Sequence, residues 1–208
     1  MPNRYHLAVL ALLLAGCSSS QPPAETAKVT KEGVDVKKDP LGMLGALASA
    51  GKDLEKMQKE LEEMPATDPV HFSKLIEALP DVPSGWTADE AKGASNQMGD
   101  FKTSQGSRRY RTESGESVDV EINDWAFNRA LYLPFFMQAK FSQETTDGYS
   151  KGITMGEDPG REEYNIKQKD GSRQVLYKKR YHIKVAVNNM PSEAIEEWWG
   201  KLKTDSLP

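Results

Sequence analysis

The spacing of apolar residues changes several times along this chain, and each spacing predicts a different element. Leu7 to Leu14 is an unbroken apolar run behind Arg4, far short of the about 20 residues a membrane-spanning helix needs. From Ser18 to Lys38 the sequence is rich in Ser, Pro, Thr, Lys and Glu with almost nothing bulky to bury, the composition of a disordered tether. Between Pro40 and Met64 the residues Met43, Leu47, Ala50, Leu54, Met57, Leu61 and Met64 alternate steps of four and three. That is the a/d stripe of an amphipathic helix. Gly42, Gly45 and Gly51 weaken its first half, and Pro65 ends it.

A second helix is expected from Asp68 as N-cap and Pro69 as first residue, with Phe72, Leu75, Ile76 and Leu79 on one face before Pro80. Beyond Trp86 the period shortens to two. Val118, Val120 and Ile122 alternate with Asp119, Glu121 and Asn123, and with Arg108–Thr112 they predict a hairpin around Glu113-Ser114-Gly115-Glu116 with one wet face. Asn128–Ala139 reads as a helix or helical turn interrupted by Pro134. Ile153–Met155 and Glu162–Lys167 read as short strands around an Asp158-Pro159-Gly160 turn, and Asp170-Gly171 as the turn before Val175-Leu176-Tyr177. Tyr181–Val187 is expected to close the sheet, and Pro191–Leu202 to form a last helix. The order predicts an α+β fold, an antiparallel β-sheet flanked by helices.

The 208 residues hold one cysteine, Cys17, and a formal charge of −4. A single thiol excludes an internal disulfide and a cysteine metal site. Loss of residues 1–16, which contain Arg4 and no acid, takes the charge to about −5, the wrong sign for neutralising phosphates, so nucleic acid is not expected as a partner.

Leu14-Ala15-Gly16-Cys17, behind the basic start and short apolar run, resembles the lipobox of bacterial lipoproteins. The resemblance implies cleavage before Cys17, lipidation of its thiol, and acyl chains such as palmitate holding the mature protein on a membrane. Ser18 resembles the outer-membrane sorting pattern of diderm bacteria; otherwise the outer face of the cytoplasmic membrane is implied. The expected organisation is a signal peptide over 1–16, a lipidated tether over 17–39, the amphipathic helix over 40–65 and a globular domain over 66–208. Leu79-Pro80 leading to Gly85-Trp86, Arg109-Tyr110, the Val118–Ile122 strand and Phe141 before Gly148-Tyr149 resemble the PsbP-like domains of some bacterial lipoproteins. That resemblance implies a PsbP-like sandwich and a role in binding or assembling other proteins.

No Gly-rich phosphate loop, HExxH, Gly-x-Ser-x-Gly elbow or calcium-loop spacing is present, so no catalytic residue, cofactor or metal is assigned. Asp68, His71 and Ser73 share one helical turn and cannot face each other as a triad. His182 is expected to face outward with Lys184, and Glu157, Asp158, Glu162 and Glu163 to form a solvated loop. Trp125, Phe127, Tyr132, Phe135 and Phe136 read as core. Candidate partner surfaces are the stripe of Leu47, Leu54 and Leu61, the basic run Lys178, Lys179 and Arg180, and Trp198 and Trp199, which cannot both face inward. The expectation is a membrane-anchored, non-enzymatic binding or assembly module of the cell envelope, with self-association through the Pro40–Met64 helix as one route. The alternatives are a periplasmic small-ligand carrier with a cavity between sheet and helices, and a hydrolase.

Overall fold

The structure, a computed structural model, describes residues 34–35, 51, 55–56, 59, 63, 67–126 and 128–208. Among these residues one sheet of ten strands dominates. Two meanders build it. The first runs through β3 (Lys92–Met98), β4 (Phe101–Arg111) and β5 (Ser117–Asp124), with β2 (Thr87–Ala88) ahead of β3 on the same side of β4; the second through β6 (Phe141–Thr145), β7 (Gly148–Met155), β8 (Asp158–Asn165), β9 (Asp170–Tyr177) and β10 (Tyr181–Asn188). Helix α2 (Arg129–Gln138) carries the chain from β5 to β6, so the second meander starts far from the first and returns until β10 lies against β5. β10 is therefore central rather than closing. β1 (Val34–Asp35) pairs in parallel with the outer edge of β6, which places two residues of the expected tether in the sheet.

Alternation decides which face is dry. Val118, Val120 and Ile122 of β5 stand opposite Val187, Val185 and Ile183 of β10, and all are essentially inaccessible. Helix α1 (Phe72–Glu77) and helix α3 (Glu193–Trp199) cover this face, packing Leu75, Leu79, Ile195 and Trp198 on it. Trp198 meets Trp86 edge-on and Tyr110 at a tilt, each with ring centroids 4.8 Å apart. Gly93 and Gly106, paired across β3 and β4, let α1 lie close. A Cβ on Gly93 would stand 2.2 Å from the Phe72 ring, and one on Gly106 2.9 Å from Leu75 Cβ.

The fold is β-rich, and this corrects the α+β sheet flanked by helices together with the PsbP-like sandwich. Helices are short among the described residues, and strands run through polar sequence. β3 is Lys-Gly-Ala-Ser-Asn-Gln-Met with every residue exposed, so no apolar alternation betrays it. Asp158-Pro159-Gly160 opens β8 instead of turning; Met155 pairs with Asp158, leaving Gly156 (φ 65°) and Glu157 as the turn. Asp170-Gly171 likewise begins β9, after a turn in which Asn165 Oδ1 accepts bonds from the backbone N–H of Lys167 and Gln168. Helix α1 starts after His71, whose Nδ1 accepts the Ser73 N–H, rather than at Asp68. Helix α2 runs through Pro134 unbroken. Gly51, Glu55, Lys56, Lys59 and Glu63 are helical and exposed, while Cys17, Leu47, Leu54 and Leu61 lie outside the described residues.

One ion pair closes the topology. Asp124, fully buried at the end of β5, accepts from Arg180 Nε at 2.9 Å and Nη2 at 2.7 Å, and from the backbone N–H of Val70 and Ala126, each at 2.8 Å. Removing one partner of a buried pair costs about 3–5 kcal/mol because the other charge stays buried. Arg180→Ala should therefore lower the unfolding free energy by that amount in urea denaturation, with the m-value unchanged.

Candidate functional site

The second face of the sheet is polar from edge to edge. Register aligns Arg109, Asp119, Ala186, Ser172, Glu163 and Ser150 in one row across six strands, with Ser107, Glu121, Lys184, Gln174 and Arg161 in the next. Along this face runs a cleft of about 570 Å³ walled by Asp89, Arg109, Arg111, Asp119, Glu121 and Lys184. A neighbouring cleft of about 370 Å³ is lined in part by Ser150, Glu163, Asp170 and Ser172; both border Lys184 and Ala186, so the two lie side by side as a trough on this face.

Two arginine forks define the larger cleft. Arg109 donates to Asp119 through Nε at 2.5 Å and Nη2 at 2.9 Å, and Arg111 to Asp89 through Nη1 at 2.5 Å and Nη2 at 3.0 Å. The Arg111 fork holds the Asp89 carboxyl below its ordinary range. All four side chains are 37–49 % exposed, and solvent screening leaves exposed pairs of this kind with little net energy. A partner's carboxylate can take an arginine at small net cost. Arg108, one residue away, points to the opposite face, since alternation sets it beside Tyr110 and Ser104.

One end of the polar face is covered by α2. Trp125 stacks on His182 at 4.5 Å and 7°, Phe135 meets the imidazole edge-on at 5.3 Å, and Tyr132 and Leu176 complete the cluster. Phe136 is half-buried with Lys140 Nζ 5.0 Å from its ring centre. Phe127 lies outside the described residues. His182 thus occupies the face expected of it, but under a helix rather than in water. Its Nε2 is 3.1 Å from Gln174 Oε1, and its Nδ1 is buried with no hydrogen-bond partner. Burial, with the Lys184 charge assisting, pushes its pKa down to about 4.

On the apolar face, beside α3, lies a cluster that spacing did not reveal. Glu162, expected in a solvated loop, is buried and accepts Arg173 Nε at 2.8 Å, Arg173 Nη2 at 2.6 Å and the Tyr149 hydroxyl at 2.8 Å. Arg173 also bonds Glu196 and lies over the Trp199 ring at 5.7 Å. Burial by itself would raise the Glu162 carboxyl, but the bonds from Tyr149 and Arg173 and the charges of Arg173 and Lys151 outweigh it and hold it low. Burial and the Glu162 bond push the Tyr149 phenol up. The alternation of Glu162 with Gly160 and Tyr164 was the available signal, obscured by the acidic neighbours.

The remaining partner candidates do not converge. Lys178 donates to the Leu207 carbonyl at 2.9 Å, Lys179 is half-buried in the same turn, and Arg180 is the internal partner of Asp124. Both lysines hold φ 52°, a left-handed turn that aims Arg180 inward. Trp198 is core at 1 % exposure, whereas Trp199 is half-buried against Arg173. Among the described residues no group of three or more His, Cys, Asp or Glu could hold a metal ion, and no helix is long and apolar enough to cross a membrane. Comparison with protein families, curated proteins and solved structures found no match.

The buried imidazole gives a pH test. Well above pH 6.5 this histidine is neutral in the folded and unfolded chain alike. As pH falls from 6.5 toward 4 the unfolded chain takes up the proton first, so stability falls. The loss approaches ~3 kcal/mol at about 1.4 kcal/mol per unit. Urea midpoints measured from pH 7.5 to 4.5 should decline, and His182→Phe, which keeps the stack without titrating, should flatten that decline.

Proposed function

We propose that this chain is a membrane-anchored lipoprotein whose sheet domain binds envelope proteins on its polar face, as a docking or assembly module rather than an enzyme. Two independent features support the reading. Leu14-Ala15-Gly16-Cys17 supplies the anchor, and lipid chains on one cysteine hold a protein at the bilayer without a spanning helix.

The observation that carries the binding role is the trough around Arg109, Arg111 and Lys184. Its charges are mixed and largely solvated, an arrangement that gives specificity and fast encounter more than raw affinity. Its arginines are presented as planar forks on a rigid sheet, which suits carboxylates of a partner chain. A carrier would instead need space between the sheet and its helices. There Leu75, Leu79, Ile195 and Trp198 pack against Val120, Ile122 and Ile183.

Cys17→Ser should abolish labelling by a tagged fatty acid in cells and leave the precursor uncleaved; equal labelling of the variant would overturn the anchor. A photo-crosslinking residue at Ser107, inside the cleft, should capture an envelope protein in cells. The same probe at Glu157, in the exposed β7–β8 turn, should not. Equal capture at both positions, or none at Ser107, would overturn the docking role.

A further inference from the structure

The two edges of the sheet are treated differently. The edge at β6 carries β1 from the chain's own N-terminal part. The other edge is shared by the two-residue β2 and by β3, seven fully exposed residues that pair only with β4 among the described residues. Natural proteins normally blunt such an edge with charge, proline or a bulge. From Gly93 to Met98 β3 has no charge and no proline, and its ladder to β4 is unbroken from Lys92↔Ser107 to Met98↔Phe101. Nor is the strand loose. Gly99, at φ 60°, closes a two-residue turn, and the Phe72 ring of α1 sits where a Gly93 side chain would be. A rigid edge gives up little conformational freedom on pairing.

The turn fixes which groups point outward. Met98 and Phe101 close it as a hydrogen-bonded pair, and pairs alternate along an antiparallel ladder. Lys92, Ala94, Asn96 and Met98 therefore direct their N–H and C=O groups to β4, while Gly93, Ser95 and Gln97 direct theirs to the open edge.

We propose that β3 docks on β3 of a second copy of this chain, antiparallel about a two-fold axis at Ser95, so that two sheets join into one. In this register Ser95 faces Ser95, Gly93 faces Gln97, and outward donors meet outward acceptors along the strand. The pattern is self-complementary. Lys92 faces Met98 of the second copy and lies diagonal to its Asp100, so the one charge in the strand meets a thioether and a carboxylate instead of another lysine. Met98, 79 % exposed in the single chain, is covered by the aliphatic stem of that lysine. This pairing does not depend on lipidation at Cys17, nor on the stripe of Leu47, Leu54 and Leu61.

The test is sedimentation equilibrium of the full chain in density-matched neutral detergent. A concentration-dependent dimer is expected. Ser95→Pro deletes an outward N–H, which an edge strand tolerates, and should weaken the dimer at least tenfold without changing the melting temperature. Ser95→Lys and Ser95→Asp, each alone, place like charges across the axis and should weaken it several-fold, whereas mixing the two variants should restore it. Leu54→Glu with Leu61→Glu should leave it intact. A chain that is monomeric at every concentration, a Ser95→Pro variant that dimerises as the parent does, or a charge-swapped mixture no tighter than its components would each overturn the proposal.

Discussion

Everything in this fold hangs on the buried carboxylate of Asp124. It ends β5, and two distant parts of the chain reach it, the Val70 N–H ahead of α1 and the Arg180 fork just before β10, alongside the neighbouring Ala126 N–H that leads to α2. A long excursion through α2 and four strands separates Asp124 from Arg180, so the entropy of closing that loop is met only once β10 settles on β5. Arg180 also donates to the Asp68 carbonyl at 3.2 Å, which fixes the segment that delivers α1 to the dry face. The pair contributes less by its net energy than by excluding other registers, because any slip leaves a charge buried without its partner.

Given that closure, the two faces follow from the period of two. A strand such as β10 gives Tyr181, Ile183, Val185 and Val187 to one side and His182, Lys184 and Ala186 to the other. The first set is covered by α1 and α3; among the described residues the second is covered at the end where Trp125 and the Phe135 of α2 lie on His182. Polar groups that the helices do shield, Glu162 with Arg173 and Tyr149, satisfy one another. Those left in water on the open face form solvated forks.

How much of this was legible depends on where apolar residues mark the period. The β4–β5 hairpin, the α2 segment and the division of labour between Trp198 and Trp199 can be read because Val118, Val120, Ile122, Phe135 and Ile195 carry it. β3 and the first half of β4 cannot, since their side chains are small or polar and their pairing is made by backbone alone. Turns were misplaced where Asp-Pro-Gly and Asp-Gly, strong turn formers, lie just inside strands and Gly156 or Asn165 makes the bend. The trough was half legible. Arg109 and Arg111 share one face of a strand that alternation marks, but Asp89, Lys184 and Glu121 come from other elements, and only pairing of β4, β5 and β10 brings them together. Arg180 misleads for the same reason. A basic run reads as surface, and its buried partner is 56 residues away.

On the lipid anchor proposed above, the polar face and the bare edge acquire consequence together. A lipid-anchored chain searches a plane rather than a volume, so copies or partners on the same membrane meet at an effective concentration set by the reach of their linkers. Under that condition a short backbone ladder and a few solvated arginine forks are sufficient for association, although each is weak in solution. Strong apolar surface is then unnecessary, and the described domain is consistent with this. Its large exposed hydrophobic side chains, Val82, Met98 and Ile166, are scattered singly rather than gathered into a patch. Joining two sheets at β3 would keep the dry faces on one side and bring two polar faces alongside each other. A partner engaging both troughs would then bind far more tightly than one engaging either alone.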